Sequence, residues 1–354
     1  NWPNEIAVEH LKIMTPEGVA ETKLNWSNDT LGVDYFKVFE KDEELLTVKA
    51  KLPAPLSTRS LNDILESEKE ISLKVKSKPL TLERLSSFFP VPAELSGILH
   101  AEHFDLSGTF TDPLLNGTIS LKEFQSTNNP KIPPAEMVVD LQSDSKKLIV
   151  GVEATDSAGQ LLKLDGTFPF LPRKWLNLKM IPLDSPLTLT VKNEQLDLRR
   201  IQPLTPSIPN IMGTLNLDLR LSGSLMEPRL NGNINANNLT TSLQPNIPDL
   251  GLDLEIKTIN QELTFNGSGK NGISNFMTIS GNLPLQPKTW LGLPESEPEK
   301  EFLLEIKDAE VDLGQVQPFV PIVKDVQGSL EVNIKAIGTI SNPQFSGDAD
   351  LSVK

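Results

Sequence analysis

The stretch that decides the fold covers residues 211–239 and reads IMGTLNLDLRLSGSLMEPRLNGNINANNL. Over residues 215–222 leucine alternates strictly with polar residues, which is the two-residue period of a β-strand with one apolar and one wet face. Gly223 ends this alternation, Pro228 stands in the connection, and a second strand-like run follows. Two such runs joined by a turn that contains glycine and proline predict a long β-hairpin.

The same hairpin pattern occurs three times along the chain. It is marked by the glycine that ends the first strand, the proline of the turn and the glycine of the second strand. These markers recur every 115 residues, as Gly108, Pro113 and Gly117, then Gly223, Pro228 and Gly232, then Gly338, Pro343 and Gly347. Three markers at one period indicate a tandem repeat.

The first copy of the hairpin contains one extra residue. Gly97, Gly213 and Gly328 open the three hairpins and lie 116 and 115 residues apart. The extra residue falls between Gly97 and Gly108, where the apolar alternation of Leu99 and Ala101 gives way to that of Phe104 and Leu106. A β-bulge at this place would restore the register.

The repeat defines the expected organisation of the chain. We predict a truncated first unit over residues 1–96, full units over 97–212 and 213–327, and the opening hairpin of a further unit over 328–354. Additional alternating runs within each unit predict further strands. The expected fold is all-β with a few short helices, arranged as an elongated, curved antiparallel β-groove built from tandem units of about 115 residues.

Short amphipathic helices are predicted between the strands. One precedes each hairpin: it begins at Thr81 and ends at Pro90 in the first copy, and Asp197 and Asp312 take the capping position in the later copies. A further short helix is predicted over residues 60–65.

Two proline-rich segments also repeat at the same spacing. Residues 166–175 read GTFPFLPRKW and residues 281–290 read GNLPLQPKTW. Because proline cannot donate a hydrogen bond to a strand ladder, both segments are predicted to lie at an edge of the sheet or outside it.

Composition argues against several functional classes. The chain of 354 residues has no cysteine, and its net charge of −14 comes without a basic cluster, so nucleic acid and anionic lipid surfaces are disfavoured as partners. The chain begins at Asn1 without a signal peptide or a membrane-spanning apolar run. We therefore expect a piece of a longer protein, and any membrane anchor would lie outside this piece.

No catalytic constellation is present, so we expect a protein that is not an enzyme and has no cofactor. Phosphate-binding loops, nucleophile elbows and EF-hand spacings are missing from the sequence. His100, Glu102 and His103 form the one cluster with metal-ligand chemistry. On a regular strand His103 points away from the other two, so a solvated strand edge is favoured over a metal site unless the bulge intervenes.

The hairpin motif resembles that of a known family. It reads GTFTDPLLNG, GSLMEPRLNG and GTISNPQFSG, and with the short helix ahead of each hairpin it is similar to the TamB-like translocation-and-assembly-module proteins of diderm bacteria, in the AsmA-like superfamily. The likeness covers residues 80–354 well and residues 1–79 less well. It implies a periplasmic β-groove that bridges the inner and outer membranes, conducts phospholipid and meets an outer-membrane barrel assembly protein outside this segment.

The apolar side of the alternating strands has two interpretations. In a sandwich or barrel it would be buried in a closed core. An open face is favoured because only 19 of 354 residues are aromatic, and because a unit of constant length extends a sheet instead of closing it. The residues predicted to contact phospholipid acyl chains are Leu187, Leu189, Val191, Leu215, Leu217, Leu219, Leu221, Leu252, Leu254, Leu330, Val332 and Ile334.

Two other functions remain open from the sequence. The first is a periplasmic scaffold that docks an outer-membrane barrel assembly factor, or nascent barrel strands, through an exposed edge strand. Lipid transfer requires an apolar face that continues across the units, whereas a docking scaffold requires only the edge. The second is an extracellular β-solenoid adhesin, which the lack of calcium motifs and long surface loops disfavours.

Overall fold

The structure, a computed structural model, contains two compact units, Asn1–Pro182 (unit 1) and Leu183–Lys354 (unit 2). The repeat boundaries predicted from the sequence are a separate division and stay a prediction. The structure describes residues 5–15, 18–54, 68–85, 95–126, 133–144, 146–171, 183–200, 211–241, 250–271, 274–290, 298–312 and 328–353.

The described part of unit 1 is an antiparallel sheet of eleven strands. Each strand pairs with the next along the chain, except that β5 and the two-residue β6 both pair with β7. The strands are β1 (Glu5–Thr15), β2 (Gly18–Ser27), β3 (Thr30–Glu40), β4 (Glu43–Pro53), β5 (Ile71–Ser77), β6 (Leu80–Thr81), β7 (Leu95–Gly108), β8 (Pro113–Ser126), β9 (Ala135–Asp144), β10 (Lys147–Asp156) and β11 (Gly159–Pro169).

The described part of unit 2 is an antiparallel sheet of nine strands, again paired in chain order. The strands are β12 (Leu187–Asp197), β13 (Ile211–Gly223), β14 (Pro228–Thr241), β15 (Leu250–Ile259), β16 (Glu262–Asn271), β17 (Ser274–Pro284), β18 (Phe302–Asp312), β19 (Gly328–Thr339) and β20 (Asn342–Val353).

The predicted fold class is confirmed. Within each unit the described residues are nearly all in antiparallel strands that form an open sheet, as a β-groove requires. The helical elements in this part of the chain are α1 (Leu82–Leu85), α2 (Pro287–Trp290) and one 3-10 turn (Leu198–Arg200).

The caps predicted for two of the short helices are present. Thr81 Oγ1 accepts a hydrogen bond from the Arg84 amide at 3.4 Å, and Asp197 Oδ1 accepts one from the Arg199 amide at 2.9 Å. These bonds satisfy amides at the start of each turn. The predicted helix over residues 60–65, the continuation of the first helix to Pro90 and the helix after Asp312 lie outside the described residues.

The three hairpins have the same glycine–proline pair at the turn end of their ladders. Gly108 is opposite Pro113 in β7–β8, and the equivalent glycine and proline are opposite each other in β13–β14 and in β19–β20, where one further pair, Thr339 and Asn342, follows before the turn. The bulge expected in the first copy is confirmed, because the register shifts between Ala101 and His103. The repeat in the sequence therefore corresponds to a repeat in the way the strands are paired.

The proline-rich segments differ in part from the prediction. Their first residues belong to the sheet, because β11 and β17 continue to Pro169 and Pro284. Each proline is the terminal residue of its strand and lies opposite Lys147 or Glu262 respectively. A proline at a strand end removes a donor where the ladder stops, so the sheet tolerates it.

Few apolar side chains are buried. Among the described residues they are Leu45, Ile71, Leu80, Leu82, Leu115, Phe170, Leu187, Leu196, Ala236 and Ala336. A sheet covered by a second layer would bury whole rows of side chains on its inner face.

Candidate apolar binding face

In unit 2 the strand register places all the predicted lining residues on one face of the sheet. Residues directly opposite each other in antiparallel strands have side chains on the same face. Leu189 is opposite Leu221, and Val191 is opposite Leu219. Because alternate residues of a strand share a face, the remaining predicted positions of β12, β13, β15 and β19 follow from such pairs.

The apolar face continues across every described strand of unit 2. Two neighbouring rows of residues run from β12 to β20, and each residue in a row lies directly opposite the next one on the adjacent strand. The first row is Asn193, Leu217, Ile234, Leu254, Gly267, Ile279, Ile306, Ile334 and Gly347. The second is Val191, Leu219, Gly232, Ile256, Phe265, Gly281, Leu304, Ala336 and Phe345.

Most of the predicted lining residues are half-buried. Leu187 is buried at 7% exposure and Ile334 is exposed at 40%. The other ten side chains are intermediate in exposure. Neighbours on adjacent strands shield the base of each side chain, and its outer part stays accessible. The face of unit 2 thus keeps accessible apolar surface along its rows.

Unit 1 has an apolar face of the same kind, which the sequence analysis did not include among the site residues. One row crosses β3 to β11, leaving out the two-residue β6. It consists of Phe36, Val48, Val75, Phe104, Gly117, Leu141, Val150 and Gly166. The signal was present in the sequence, since Phe104, Leu141 and Val150 precede Leu219, Ile256 and Phe265 of unit 2 by 115 residues.

The opposite face of unit 2 is polar and cross-linked between strands. Lys192 forms an ion pair with Asp218 at 3.3 Å, and Asn235 donates a hydrogen bond to Asp253 at 2.8 Å. Asp253 also pairs with Lys270 on the other neighbouring strand. The hydrogen bond from Lys270, followed by that from Asn235, lowers the pKa of Asp253. The two faces of one sheet therefore have opposite chemistry.

Asparagine side chains on the polar face support two β-bulges. In β12 the register shifts after Asn193, and Gln195 adopts a left-handed conformation with φ of 54°. Its amide donates a hydrogen bond to Asn216 Oδ1 at 2.6 Å. In β18 the Asp308 amide donates to Asn333 Oδ1 at 3.0 Å in the same way. Each bulge keeps its displaced amide satisfied.

A hydroxyl group continues the strand ladder at one end of the sheet in both units. Thr258 Oγ1 accepts a hydrogen bond from the Leu230 amide at 2.9 Å and donates to the Leu230 carbonyl at 3.1 Å. At the equivalent position of unit 1, Ser143 Oγ accepts from the Leu115 amide at 2.6 Å and donates to the Pro113 carbonyl at 3.3 Å. In each unit the hydroxyl bonds to main-chain groups just beyond the last pair of opposed residues, where a main-chain partner would otherwise stand.

The histidine cluster lies where the ladder on one side of β7 is interrupted. β7 pairs with β8 on one side; on the other side residues 98–99 pair with β6 and residues 104–108 pair with β5, and residues 100–103 lie between these two ladders. The bulge falls at Glu102, so His103 is opposite Thr118 while His100 is opposite Ser120. Within the described residues, no group of three or more histidine, aspartate or glutamate side chains is arranged to hold a metal ion.

Comparisons with known proteins do not assign the chain to a family. No family model, curated protein or solved structure matches it. None of the helices in the described part of the chain is long and apolar enough to cross a membrane.

Proposed function

We propose that the chain is a segment of a bridge-like lipid-transfer protein, and that phospholipid acyl chains move along its apolar face. In this proposal the protein is TamB-like and non-catalytic. It acts in the periplasm between the inner and outer membranes of a diderm bacterium, with its membrane anchor and its outer-membrane barrel assembly partner outside this segment. The apolar face that continues across the described strands carries the proposal.

The exposure of this face supports an open surface over a closed core. A closed core would bury Leu217, Leu219 and their neighbours, whereas these side chains are half-buried. Accessible apolar surface in continuous rows marks a place where another apolar molecule binds. The two rows of unit 2 consist mainly of aliphatic side chains, with glycines and two phenylalanines between them and Asn193 as the one polar residue. The ligand that fits them best is therefore a hydrocarbon chain.

The energetics favour movement along the rows. Burial of a methylene group contributes about 0.8 kcal/mol, so an acyl chain needs apolar contact throughout its path. Successive strands present similar residues, such as Leu217, Ile234 and Leu254, in the same row. The free energy of the chain then changes little from strand to strand, and a flat profile permits sliding.

The path is longer than one lipid tail. Strands lie about 4.8 Å apart, so the nine strands of unit 2 extend roughly 38 Å across the strand direction. One leaflet of a bilayer provides about 15 Å of hydrocarbon, half of its core thickness. A tail therefore covers about three strand spacings and has further apolar surface ahead of it.

Photo-crosslinking tests which side of the sheet meets lipid. A photoreactive amino acid is placed at Leu217 on the apolar face and, in a second protein, at Arg220 on the polar face of the same strand. After irradiation in the native host, mass spectrometry identifies the adducts. We expect phospholipid at position 217 and none at 220; the absence of any adduct at 217 would indicate a closed core and contradict the proposal.

A charge on the apolar face should block transfer. In Leu219→Arg the guanidinium projects into the row, and an acyl chain that passes it must displace its hydration. We expect transfer of fluorescent phospholipid between donor and acceptor vesicles to fall at least tenfold, while circular dichroism stays unchanged. Leu219→Met keeps the volume and apolar character and serves as the control. Unchanged transfer by a folded Leu219→Arg protein would contradict the proposal.

A docking scaffold is the second candidate function, and β20 favours it. Among the described residues β20 pairs only with β19, and Phe345 and Leu351 are exposed on it. An exposed strand with apolar side chains can accept a partner strand by β-augmentation. Protein adducts at both crosslinking positions, without lipid, would favour this function over lipid transfer.

A further inference from the structure

Four lysines lie together on the polar face of unit 1 and are called the lysine strip below. Lys49 of β4 is directly opposite Lys74 of β5, while Lys51 and Lys76 stand two residues further along these strands. Residues directly opposite or two apart share a face of the sheet, and all four lysines are exposed. The sequence shows no such cluster, because the two strands are far apart along the chain.

The lysine strip is not neutralised by ion pairs. Among the described residues, no carboxylate lies within ion-pair distance of any of its four lysines, whereas the neighbouring Lys37 pairs with Glu44 at 2.5 Å. Like charges directly opposite each other destabilise a sheet, so the Lys49–Lys74 pair opposes folding slightly. Adjacent positive charges without counter-ions attract a negatively charged partner.

The equivalent strands of unit 2 show that the repeat does not require these charges. β5 and β18 hold the same place relative to their hairpins, because Ile71 is opposite Gly108 and Phe302 is opposite Gly338. The six facing polar-side positions are Thr47, Lys49, Lys51, Ser72, Lys74 and Lys76 in unit 1, and Thr278, Ser280, Asn282, Leu303, Glu305 and Lys307 in unit 2.

These positions differ in charge between the two units. In unit 1 they carry four positive charges, whereas in unit 2 they carry one charge of each sign. The two charged residues of unit 2, Glu305 and Lys307, form an ion pair at 2.9 Å. The lysine strip is therefore a feature of one copy and not a consequence of the fold.

The lysine strip is long and narrow. Its four lysines occupy three successive levels along two adjacent strands, about 6.8 Å apart, because alternate residues of a strand are separated by twice the rise per residue. Carboxylates stand on the same face on both sides: Asp34 of β3, which accepts a hydrogen bond from Asn25 at 2.8 Å, and Asp105 of β7, which is opposite Lys74.

The flanking carboxylates select the shape of the partner. A broad anionic surface, such as a membrane with acidic lipids, would bring its phosphates against Asp34 and Asp105 as well as against the lysines. A single extended chain fits along the two strands and avoids both carboxylates. The net charge of −14 also disfavours an anionic partner that contacts more of the protein than the lysine strip.

We propose that the lysine strip binds an acidic segment of a partner protein in extended conformation, with carboxylates on alternate residues. Such side chains lie on one side of an extended chain and recur at about 6.8 Å, which matches the levels of the lysine strip. Each carboxylate accepts charge-assisted hydrogen bonds from lysine ammonium groups, whose flexible stems allow them to adjust. The inference goes beyond the proposed function and does not depend on it, because it concerns the polar face.

Fluorescence anisotropy on the full chain measures this binding. The probe is a fluorescein-labelled octapeptide in which glutamate alternates with threonine, and its uncharged counterpart has glutamine in place of glutamate. In a buffer of low ionic strength we expect the acidic peptide to bind at least about tenfold more tightly, as several exposed ion pairs together permit. High salt should remove most of this preference, because the charges are exposed and screened.

Matched double variants assign the preference to the lysine strip. Lys49→Gln with Lys74→Gln should reduce the tenfold preference to about twofold, since two of the four cations remain. The control, Lys192→Gln with Lys307→Gln, removes the same total charge from the polar face of unit 2, where both lysines have carboxylate partners, and should leave the preference intact. Lys49→Arg with Lys74→Arg keeps the cations and should retain the preference.

The urea midpoint establishes that the variants are folded. Because directly opposed lysines repel each other, Lys49→Gln with Lys74→Gln should not lower the midpoint. Loss of peptide binding by this variant is then a loss of contacts with the peptide and not of structure.

Three results would overturn the inference. The first is equal binding of the acidic and the glutamine peptide by the native chain. The second is an equal loss in the two glutamine double variants, which would mean that only the total charge matters. The third is sedimentation of the native chain, but not of Lys49→Gln with Lys74→Gln, with phosphatidylcholine vesicles that contain phosphatidylglycerol, in the absence of peptide binding. That result would assign the lysine strip to a membrane surface. None of the three changes the lipid adduct expected at Leu217.

Discussion

The β13–β14 and β19–β20 hairpins have the same sequence pattern and register but differ in exposure. Ala236 of β14 is 5% exposed, whereas Leu351, its equivalent in β20, is 60% exposed. Leu230 of β14 is half-buried, whereas its equivalent Phe345 is 73% exposed. The two hairpins differ in their neighbours: β14 pairs with β15 as well as β13, while β20 has β19 alone among the described residues.

The comparison indicates what buries a side chain on the apolar face. If a second layer covered the face, equivalent positions would be buried in both hairpins. The difference instead follows the presence of a strand alongside. Shielding in this sheet therefore comes mainly from lateral neighbours, and the outer surface of the rows remains available to a ligand.

The largest difference between the two hairpins is expected in the stability lost when a glycine of the second strand is replaced. In Gly232→Val the new Cβ would lie 2.0 Å from the Asp218 carbonyl oxygen, at a residue whose φ is 154°. The clash cannot be relieved by β14, which is held on both sides, so we expect a loss of about 3 kcal/mol in the free energy of unfolding. Urea unfolding monitored by circular dichroism measures this loss.

The equivalent substitution in the other hairpin is the control for this prediction. In Gly347→Val the new Cβ would lie 2.4 Å from the Asn333 carbonyl oxygen, but β20 can shift away from β19. We expect a loss of about 1 kcal/mol. Equal losses in the two hairpins would mean that β20 is held as firmly as β14 and would refute the interpretation of lateral shielding.

A smaller effect is expected from the hydroxyl that joins β14 to β15. Thr258→Val keeps the shape of the side chain but leaves the Leu230 amide and carbonyl without this partner. We expect a loss of about 1–2 kcal/mol in the free energy of unfolding, the usual effect of removing a hydrogen-bond partner from a partly buried group.

Thr264→Val provides the comparison for this change. Thr264 Oγ1 donates to the Lys257 carbonyl at 2.8 Å in an exposed position, where water can replace it. Its loss should be well below that of Thr258→Val in the same urea titration. If the two substitutions cost the same, the hydroxyl of Thr258 does not hold the strands together beyond the ladder.

The smallest effect is expected on the polar face and depends on pH. The pKa of Asp253 is lowered by hydrogen bonds from Lys270 and Asn235, so its ionised form stabilises the fold above the unfolded-state pKa. This contribution is lost as the pH falls through the lowered pKa of the folded state. Because the Asp253–Lys270 pair is partly exposed, its expected contribution to the free energy of unfolding is about 0.2–1 kcal/mol.

The measurement is the urea midpoint of the native chain and of Asp253→Asn from neutral to acidic pH. The native chain should be more stable near neutrality, and the difference should begin to shrink below about pH 4, the unfolded-state pKa, and disappear as the pH falls through the lowered pKa of the folded state. Asp348→Asn in β20 is the counterpart, since Asp348 contacts Asn333 at 3.0 Å. A constant difference at all pH values would exclude a titrating Asp253 as the cause.

Much of the fold was predictable because the sequence pattern that sets the strand pairing recurs along the chain. The alternation in β13, the recurrent turn prolines and the single extra residue near Glu102 led to the correct class and the correct bulge. The strand β16 was missed, because Gly267 and Gly269 occupy apolar-face positions where the alternation needs large side chains. A Cβ at Gly267 would approach Leu254 Cδ1 at 3.0 Å, so a neighbouring strand supplies the side chain there.

For the candidate site, the sequence could predict only which residues of a single strand share the apolar side. Alternation assigned Leu217, Leu219 and Leu254 to apolar faces, but it could not show that these faces coincide or that the rows continue through β14, β16 and β17. That information lies in the pairing of strands.

The charge of β20 has a consequence for solubility. Phe345 and Leu351 make this strand a candidate for pairing with another copy of itself, which would lead to aggregation. The charged residues of β20 are Asp348 and Asp350 alone, so two β20 strands side by side would place carboxylates against carboxylates. Like charges on adjacent strands repel each other. The two aspartates of β20 are therefore expected to oppose pairing between copies of this strand.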